Sequence, residues 1–298
     1  MTDKHILHML TPLKHMSPFD VNMALDAGYD AAIAYTNVTL DEVGGLVQDA
    51  IFSRPPKTGV RTGMFIGGKN AILALDMLSA AKKALVPPFG ISFFADPAGS
   101  FTTAAAMVAC VEKSLLDKKK RSLKDLKLAV FGATGVVGFS SAVIAALEGA
   151  DVTLVGYDGT RRVSEAAREI KARFQVDVHV ADGSDDTKKA KILAEVEAAL
   201  CAGRAGVRIL SSAQLAQAKR LLIVADVNAV PPSGVEGLDM MANDVELTPR
   251  GTLGIGPLAI GNIKYKTESG LFQRMIAATK PVTFDFRNAF QLARELNE

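Results

Sequence analysis

The chain contains 298 residues, with 34 Lys or Arg against 32 Asp or Glu, so its formal net charge is +2. Because no face or tail is visibly basic, we expect no nucleic-acid partner. An apolar run long enough to span a bilayer and a cleavable signal pattern are both missing, so we expect a cytoplasmic protein without a membrane partner. The cysteines and histidines lack metal-ligand spacing, which predicts neither a disulfide framework nor a metal site.

The first hundred residues alternate short apolar runs with helical patterns, which predicts an open α/β sheet. Segment 9–20 is interpreted as strand-like and then as a proline-bracketed loop, with Asp20 as the cap of the next helix. Strands are predicted at 31–35, 63–68 and 91–95, and helices at 21–27, 40–48, 69–85 and 102–116. The basic run at 118–121 that follows is interpreted as a solvated connector.

A glycine turn between two apolar strands is the most informative feature of the chain. Strands predicted at 128–131 and 151–156 flank a helix at 140–147, and together they form one βαβ unit. The turn has the sequence Gly132-Ala133-Thr134-Gly135-Val136-Val137-Gly138. Glycines here permit a tight turn, let the backbone approach a pyrophosphate and let helix and strand pack closely, which predicts a Rossmann domain that binds a dinucleotide. A βαβ turn without a ligand is the alternative, because Ala133 replaces the first glycine of the usual pattern.

The remainder of the chain continues the α/β pattern. Helices are predicted at 162–174 and 286–296, strands at 176–180 and 221–225, a helix or helix–strand mixture at 188–200, and a glycine-rich turn region at 251–261. We therefore expect two open α/β domains, at 1–120 and 121–283, with a C-terminal helix at 284–298 that packs back on the first. The helix at 102–116 bridges these domains, which predicts an interdomain cleft where a substrate meets a cofactor.

The end of the second Rossmann strand distinguishes the two nicotinamide dinucleotides. An acidic residue at this place bonds the ribose hydroxyls of NAD, whereas arginine accommodates the 2′-phosphate of NADP. Asp158 favours NAD, while Arg161 and Arg162 favour NADP, so we expect use of both cofactors. The alternative is that Asp158 caps the next helix and both arginines are solvated.

Polar loops at predicted strand ends are candidates for substrate binding, because ligands of open α/β sheets bind there. They lie at 36–39, which includes Asn37, at 67–70 and at 96–103. The last contains Asp96, Ser100, Thr102 and Thr103, and helix capping by Ser100 or Thr102 explains part of this cluster. In segment 9–20, Lys14 is a candidate contact for an anionic or pterin-like ligand. We predict no acid–base residue, since hydride transfer relies on the cofactor's own chemistry.

Six segments together resemble the NAD(P)-dependent methylene-tetrahydromethanopterin dehydrogenases of methylotrophic bacteria. These segments are YTNVTLDEV at 35–43, MFIGG at 64–68, FADPAGSFTTAAA at 94–106, GATGVVG at 132–138, ADVNAVPP at 225–232 and GIGPLAIGNIKY at 254–265. The opening segment looks closest to the branch that accepts both NAD and NADP. The resemblance implies oxidation of the methylene carrier to its methenyl form in formaldehyde oxidation, a pterin-binding first domain, a Rossmann second domain and a homo-oligomer.

The resemblance also assigns roles to individual positions. By it, Asp96, Ser100, Thr102 and Thr103 line the pterin side, Gly132 to Gly138 hold the pyrophosphate, and Asp226 and Asn228 lie near the nicotinamide. One departure concerns a lysine that the strictly NADP-dependent branch carries after its GIG turn. Ala259 stands at about that place here, and whether Lys264 replaces the lysine is left open.

Two rival functions remain. A methylene-tetrahydrofolate dehydrogenase performs the same chemistry on another pterin, but its bifunctional forms use a Tyr-x-x-x-Lys pair that is absent from this sequence. A non-catalytic NAD(P)-binding regulator is the other, and the polar loops of the first domain argue against it.

Overall fold

The computed structural model describes residues 4–297. In chain order its strands and helices are β1 (Ile6–Leu10), α1 (Pro18–Asp26), β2 (Ala31–Tyr35), α2 (Val43–Phe52), β3 (Thr62–Ile66), α3 (Ala71–Lys83), β4 (Ser92–Ala95), α4 (Ser100–Ser114), β5 (Lys127–Phe131), α5 (Val136–Leu147), β6 (Asp151–Gly156), α6 (Arg161–Phe174), β7 (His179–Asp182), α7 (Asp186–Glu195), β8 (Ala198–Cys201), α8 (Ser212–Gln217), β9 (Ile223–Asp226), β10 (Asn243–Glu246), β11 (Leu253–Ile255), α9 (Pro257–Ala277), β12 (Thr283–Phe284) and α10 (Phe286–Leu296).

The chain forms two compact units. Unit 1 comprises the described residues up to Thr102 together with Tyr265–Leu292. Unit 2 comprises Thr103–Lys264 and the described residues from Ala293 onward. The unit boundaries therefore fall within the helices α4, α9 and α10.

Unit 1 is built on a five-stranded parallel sheet in the described part of the chain, with the order β12-β4-β3-β1-β2. Every residue of β3 and of β4 is buried, as expected for central strands of a parallel sheet. The ring of Phe272, from α9, lies 5.6 Å from that of Phe65 and 5.1 Å from that of Phe94. The core of unit 1 therefore depends on aromatic residues far apart in sequence.

Unit 2 carries a seven-stranded sheet, counted over the described residues, with the order β10-β11-β9-β8-β5-β6-β7. Neighbouring strands run parallel, except that β10 is antiparallel to β11. The strand order reverses between β5 and β8, which makes this the topological switch point of a Rossmann sheet. The predicted α/β fold with a Rossmann unit is confirmed.

Several sequence predictions of elements were wrong. Residues 251–261 do not form only turns, because they contain β11 and the start of the long helix α9. For residues 188–200 the alternative of a helix–strand mixture is correct, because they separate into the end of α7 and the strand β8. Helix α5 begins at Val136, directly after the glycine turn, rather than at residue 140.

The basic run at 118–121 is not a simply solvated connector. The Nζ atom of Lys119 donates to the Gly251 carbonyl at 2.6 Å. The guanidinium of Arg121 donates to both carboxylate oxygens of Glu197, at 3.0 and 3.1 Å. Two residues of this run therefore fasten it to the rest of unit 2.

Candidate functional site

The glycine turn after β5 presents the start of α5 at the switch point of the unit 2 sheet. An ideal Cβ on Gly132 would lie 2.3 Å from the Ala202 carbonyl oxygen, and one on Gly138 would lie 2.3 Å from the Gly132 oxygen. Both positions therefore require glycine for close backbone packing. Gly135 is the N-cap of α5, and no side chain accepts a hydrogen bond from the first turn. The first N–H groups of α5 are thus left for a ligand, and helix N-termini favour anions.

The other residues predicted within this turn differ in their exposure to solvent. Ala133 is buried, whereas Thr134 is exposed and Val136 and Val137 are half-buried. The turn is braced from the neighbouring strand, since Ala202 N donates to the Phe131 carbonyl at 2.9 Å. The loop at 202–206, directly after β8, was missed by the sequence analysis as a candidate site. Its signal was hidden because the alanine-rich strand β8 resembles a helix in sequence.

Asp158, Arg161 and Arg162 lie at the turn after β6, next to the glycine turn. Asp158 does not cap α6, because the N-cap is Thr160 and its cap lacks a side-chain hydrogen bond. Arg162 is near Asp158, with Nη1 at 3.7 Å from Oδ2, while Arg161 pairs with Glu165 at 3.2 Å. The structure thus brings the predicted cofactor-selecting residues together at one edge of the sheet.

Asp226, the last residue of β9, and Asn228 organise the loop that comes after this strand. Both are buried, and burial raises the pKa of Asp226 above its ordinary value. The carboxylate of Asp226 accepts from the N–H groups of Asn228, Gly234 and Val235 at 2.7–3.2 Å. The amide of Asn228 accepts from Gly206 N at 3.2 Å and donates to the Pro232 carbonyl at 2.9 Å. These two side chains therefore fix the loops at the carboxyl end of β9, and their contact with nicotinamide stays a prediction.

In unit 1, the loops predicted to bind substrate meet at the carboxyl edge of the sheet. Asn37, with a left-handed φ of 55°, donates its N–H to the Leu13 carbonyl at 2.9 Å. This bond joins the loop of Asn37 to that of Lys14, and both side chains are exposed. An ideal Cβ on Gly68 would lie 3.2 Å from the Pro12 ring, so the loop after β3 packs against the same segment.

Asp96 is fully buried at the end of β4 and holds the start of α4. Its Oδ1 accepts from the N–H groups of Phe101 and Thr102, at 2.7 and 3.2 Å. Its Oδ2 accepts from the hydroxyl of Thr102 at 2.6 Å, and Thr102 is itself fully buried. Ser100, the first residue of α4, is half-buried. Asp96 and Thr102 are therefore placed to shape this loop rather than to present polar atoms to solvent.

The remaining predicted substrate residues lie on helices. Asp20 is buried in the first turn of α1, whose N-cap is Ser17, so the prediction of Asp20 as the cap was wrong. Thr103 is half-buried on α4, and Lys264 is half-buried on α9. Ala259 lies in the first turn of α9, five residues before Lys264.

Residues 4–297 also bear on membrane spans and metal sites. None of the helices found there is both long and apolar enough to cross a membrane. Over the same range, we find no group of three or more His, Cys, Asp or Glu side chains that is placed to hold a metal ion.

The sheet topology and the uncapped helix at the glycine turn define a protein of the Rossmann type. Its fold is similar to that of quinate dehydrogenase from Corynebacterium glutamicum, solved in complex with NAD, with a TM-score of 0.56 and 16% identity over 98% of this chain and 99% of that one. The model of the family "Methylene-tetrahydromethanopterin dehydrogenase, N-terminal" matches residues 18–98.

Two curated relatives from Methylorubrum extorquens extend this match over nearly the whole chain. NAD(P)-dependent methylenetetrahydromethanopterin dehydrogenase is 53% identical over 98% of this chain and 99% of its own length. Bifunctional protein MdtA is 35% identical over 94% of each. The chain belongs to the methylene-tetrahydromethanopterin dehydrogenase family, as the six sequence segments predicted.

Proposed function

We propose that this protein oxidises methylene-tetrahydromethanopterin to the methenyl form, with NAD or NADP as hydride acceptor. The observation that carries the proposal is the 53% identity, over 98% of the chain, with a relative named for this activity. The exposed glycine turn of unit 2 and the polar loops of unit 1 are consistent with one cofactor and one pterin. The bound groups are small molecules, and we propose that the enzyme works as a cytoplasmic homo-oligomer.

The residues of the glycine turn fit a dinucleotide. The first turn of α5 has N–H groups that no side chain caps, and Gly135 has no neighbour closer than 3.4 Å to an ideal Cβ. A pyrophosphate is stabilised at such a place by backbone N–H donors and by the positive end of the helix dipole. We assign Gly132 to Gly138 to the pyrophosphate and Asp158 to the adenosine ribose hydroxyls, and the two arginines that follow are the candidates for the 2′-phosphate of NADP.

The reaction requires orientation more than acid–base chemistry. When bound, the nicotinamide ring supplies a carbon that accepts a hydride. The substrate carbon lies between two nitrogens, and a neighbouring lone pair stabilises the cation that forms as the hydride leaves. Because no proton has to move, the chain's task is to hold the two reactants in position, which is worth up to roughly 7–11 kcal/mol of the barrier.

Two buried carboxylates of unit 1 are proposed to support the cationic product. Asp20 and Asp96 are 2% and 0% exposed, and both lie where helices begin at the carboxyl edge of the sheet. Negative charge held near the pterin loops favours a developing cation. Asp96 also keeps the start of α4 in place, so it acts on Ser100 and Thr103 as a positioning residue. Lys14, Asn37 and Lys264 complete the proposed substrate side.

The test is an initial-rate assay that follows the absorbance of the reduced nicotinamide. Methylene-tetrahydromethanopterin and methylene-tetrahydrofolate are each supplied with NAD and, separately, with NADP. Reduction that is fast with the methanopterin carrier supports the proposal and gives the cofactor preference. Faster reduction with the folate carrier would favour the folate rival, and no reduction with either would leave a dinucleotide-binding protein of another kind.

A further inference from the structure

The turn after β6 holds its two arginines in different ways. Nη1 of Arg162 donates to the Tyr157 hydroxyl at 2.8 Å, and the guanidinium carbon lies 5.6 Å from the centre of the Tyr157 ring. The same nitrogen is 3.7 Å from Oδ2 of Asp158. Arg161 contacts only Glu165 among the ion pairs described, and 80% of its side chain is exposed. Arg162 is thus held at the turn, whereas Arg161 pairs along its own helix.

Tight backbone packing explains why Tyr157 is available to Arg162. An ideal Cβ on Gly156 would lie 1.9 Å from the Gly159 carbonyl oxygen, and Tyr157 forms a β-bridge with Gly159. The turn therefore folds back on the end of β6. Tyr157 is 67% exposed, so its ring is a surface platform and not a core residue. Arginine stacks well on such a ring while its remaining donors stay accessible.

The position of this turn indicates which part of a dinucleotide it faces. Strand β6 pairs in parallel with β5, with Val155 opposite Phe131, so the two turns that follow these strands are neighbours. In a Rossmann unit the pyrophosphate lies at the first of these turns and the adenosine ribose at the second. The 2′ position of the ribose is where NADP differs from NAD.

We propose that Arg162, held in place by Tyr157, binds the 2′-phosphate of NADP, and that Arg161 does not. The inference rests on the proposed function, because it deepens the assignment of a dinucleotide to this turn. Guanidinium and phosphate form charge-assisted hydrogen bonds of matching geometry. The pair of Arg162 and Asp158 is half-exposed and 3.7 Å long, and such surface pairs are weak, so Arg162 leaves the carboxylate at little cost. Asp158 then accepts from the ribose hydroxyl of NAD when no phosphate is present. Tyr157 is accordingly a positioning residue for cofactor choice.

The experiment measures the binding of NADP⁺ and of NAD⁺ to the full chain by calorimetry, because these probes differ only in that phosphate. Arg162→Ala is expected to weaken NADP⁺ binding by roughly tenfold or more and to leave NAD⁺ binding within about twofold. Arg161→Ala is expected to cause a clearly smaller loss for NADP⁺. Arg168→Ala, on the same helix and exposed, is the control for the loss of one positive charge.

Substitutions of Tyr157 test how Arg162 is held. Tyr157→Leu removes both the ring and the hydroxyl and is expected to weaken NADP⁺ binding several-fold, while Tyr157→Phe keeps the ring and restores part of the affinity. Two results would overturn the proposal. One is that Arg162→Ala weakens the binding of NAD⁺ and NADP⁺ equally. The other is that Arg161→Ala weakens NADP⁺ binding more than Arg162→Ala does. Arg162→Lys keeps the charge without the planar fork, so weakened NADP⁺ binding by this variant supports it even if the alanine variant unfolds.

The result is separable from the proposed function. A protein that binds NADP⁺ through Arg162 but reduces no nicotinamide with either pterin contradicts the proposed function and supports this inference. Turnover with the pterin together with unchanged NADP⁺ affinity in Arg162→Ala contradicts this inference alone.

Discussion

Replacing Gly138 by alanine is expected to destabilise unit 2 and to weaken dinucleotide binding. The three atoms nearest to an ideal Cβ there are all backbone atoms, the Gly132 oxygen at 2.3 Å, the Gly132 carbon at 2.8 Å and the Ala133 Cα at 2.9 Å. Ordinary contact begins at 3.4 Å, so either the helix or the turn has to move by about 1 Å. No flexible side chain is available to absorb this shift.

Two opposing effects set the magnitude. Overpacking of this kind costs about 1–3 kcal/mol. Within a helix, alanine is also more favourable than glycine by up to about 1 kcal/mol of unfolding free energy. The reason is that an unfolded chain with alanine has less conformational entropy to lose on folding. With the full helical gain, the net loss of unfolding free energy is therefore up to about 2 kcal/mol, which corresponds to a fall in Tm of up to roughly 8 °C for a unit of this size.

Gly261→Ala is the matched control, because it makes the same substitution within α9, where no atom lies within 4 Å of an ideal Cβ. Only the helical gain applies there, so this variant is expected to raise the unfolding free energy by up to about 1 kcal/mol. The assays are calorimetric unfolding and NAD⁺ titration, in which Gly138→Ala is expected to bind roughly tenfold more weakly. Equal stability of the two variants, or NAD⁺ binding by Gly138→Ala equal to that of the unaltered protein, would refute the packing argument.

Three further outcomes are expected. Hydrogen bonds from Arg121 hold the pKa of Glu197 below its ordinary value of 4.5, so their stabilising effect is present above pH 4.5 and is lost as the pH falls through the lowered pKa. Urea unfolding of Arg121→Met should show a loss of about 1–2 kcal/mol at neutral pH that shrinks in acid, and a pH-independent gap would contradict this cause. Asp96→Asn should lower the unfolding free energy by about 1–3 kcal/mol and raise the KM for the pterin, whereas unchanged rate and KM would rule out both of its proposed roles. Asp226→Asn frees the loop at 227–235 and should raise the KM for NAD more than that for the pterin, and the reverse order would place this loop on the pterin side.

The βαβ unit around the glycine turn was predictable because its sequence signals are local. The apolar strand, the glycines and the helix follow one another within about thirty residues, as such units do. The start of α9 was missed because its neighbourhood contains several glycines, which usually indicate turns. An ideal Cβ on Gly256 would lie 2.4 Å from the Asp239 carbonyl oxygen. This glycine is therefore required for close packing against residue 239, a contact that the sequence does not reveal. Strand β8 was left as one part of a helix–strand alternative because its sequence, AALC, contains no β-branched residue.

The candidate site was predictable in its location more than in the roles of its side chains. The loops that hold Asp96 and Asp226 are recognisable in the sequence because they lie at the ends of predicted strands. The direction of each carboxylate was not predictable, because it depends on which backbone N–H groups the fold brings near. Both carboxylates accept hydrogen bonds from N–H groups of their own loops, at 2.7–3.2 Å. Asp96 and Asp226, which the sequence suggests as ligand-binding residues, therefore hold their own loops in place.

The contribution of the C-terminal segment to unit 1 has a consequence for how the protein is made. A growing chain that has been synthesised as far as Lys264 contains β5 to β11, and so every strand of the unit 2 sheet. The sheet of unit 1 still lacks its edge strand β12, and the rings of Phe65 and Phe94 still lack Phe272. We therefore expect the Rossmann sheet to fold first on the ribosome, although it is encoded second. The core of the first hundred residues is completed only when roughly the last thirty residues have been synthesised.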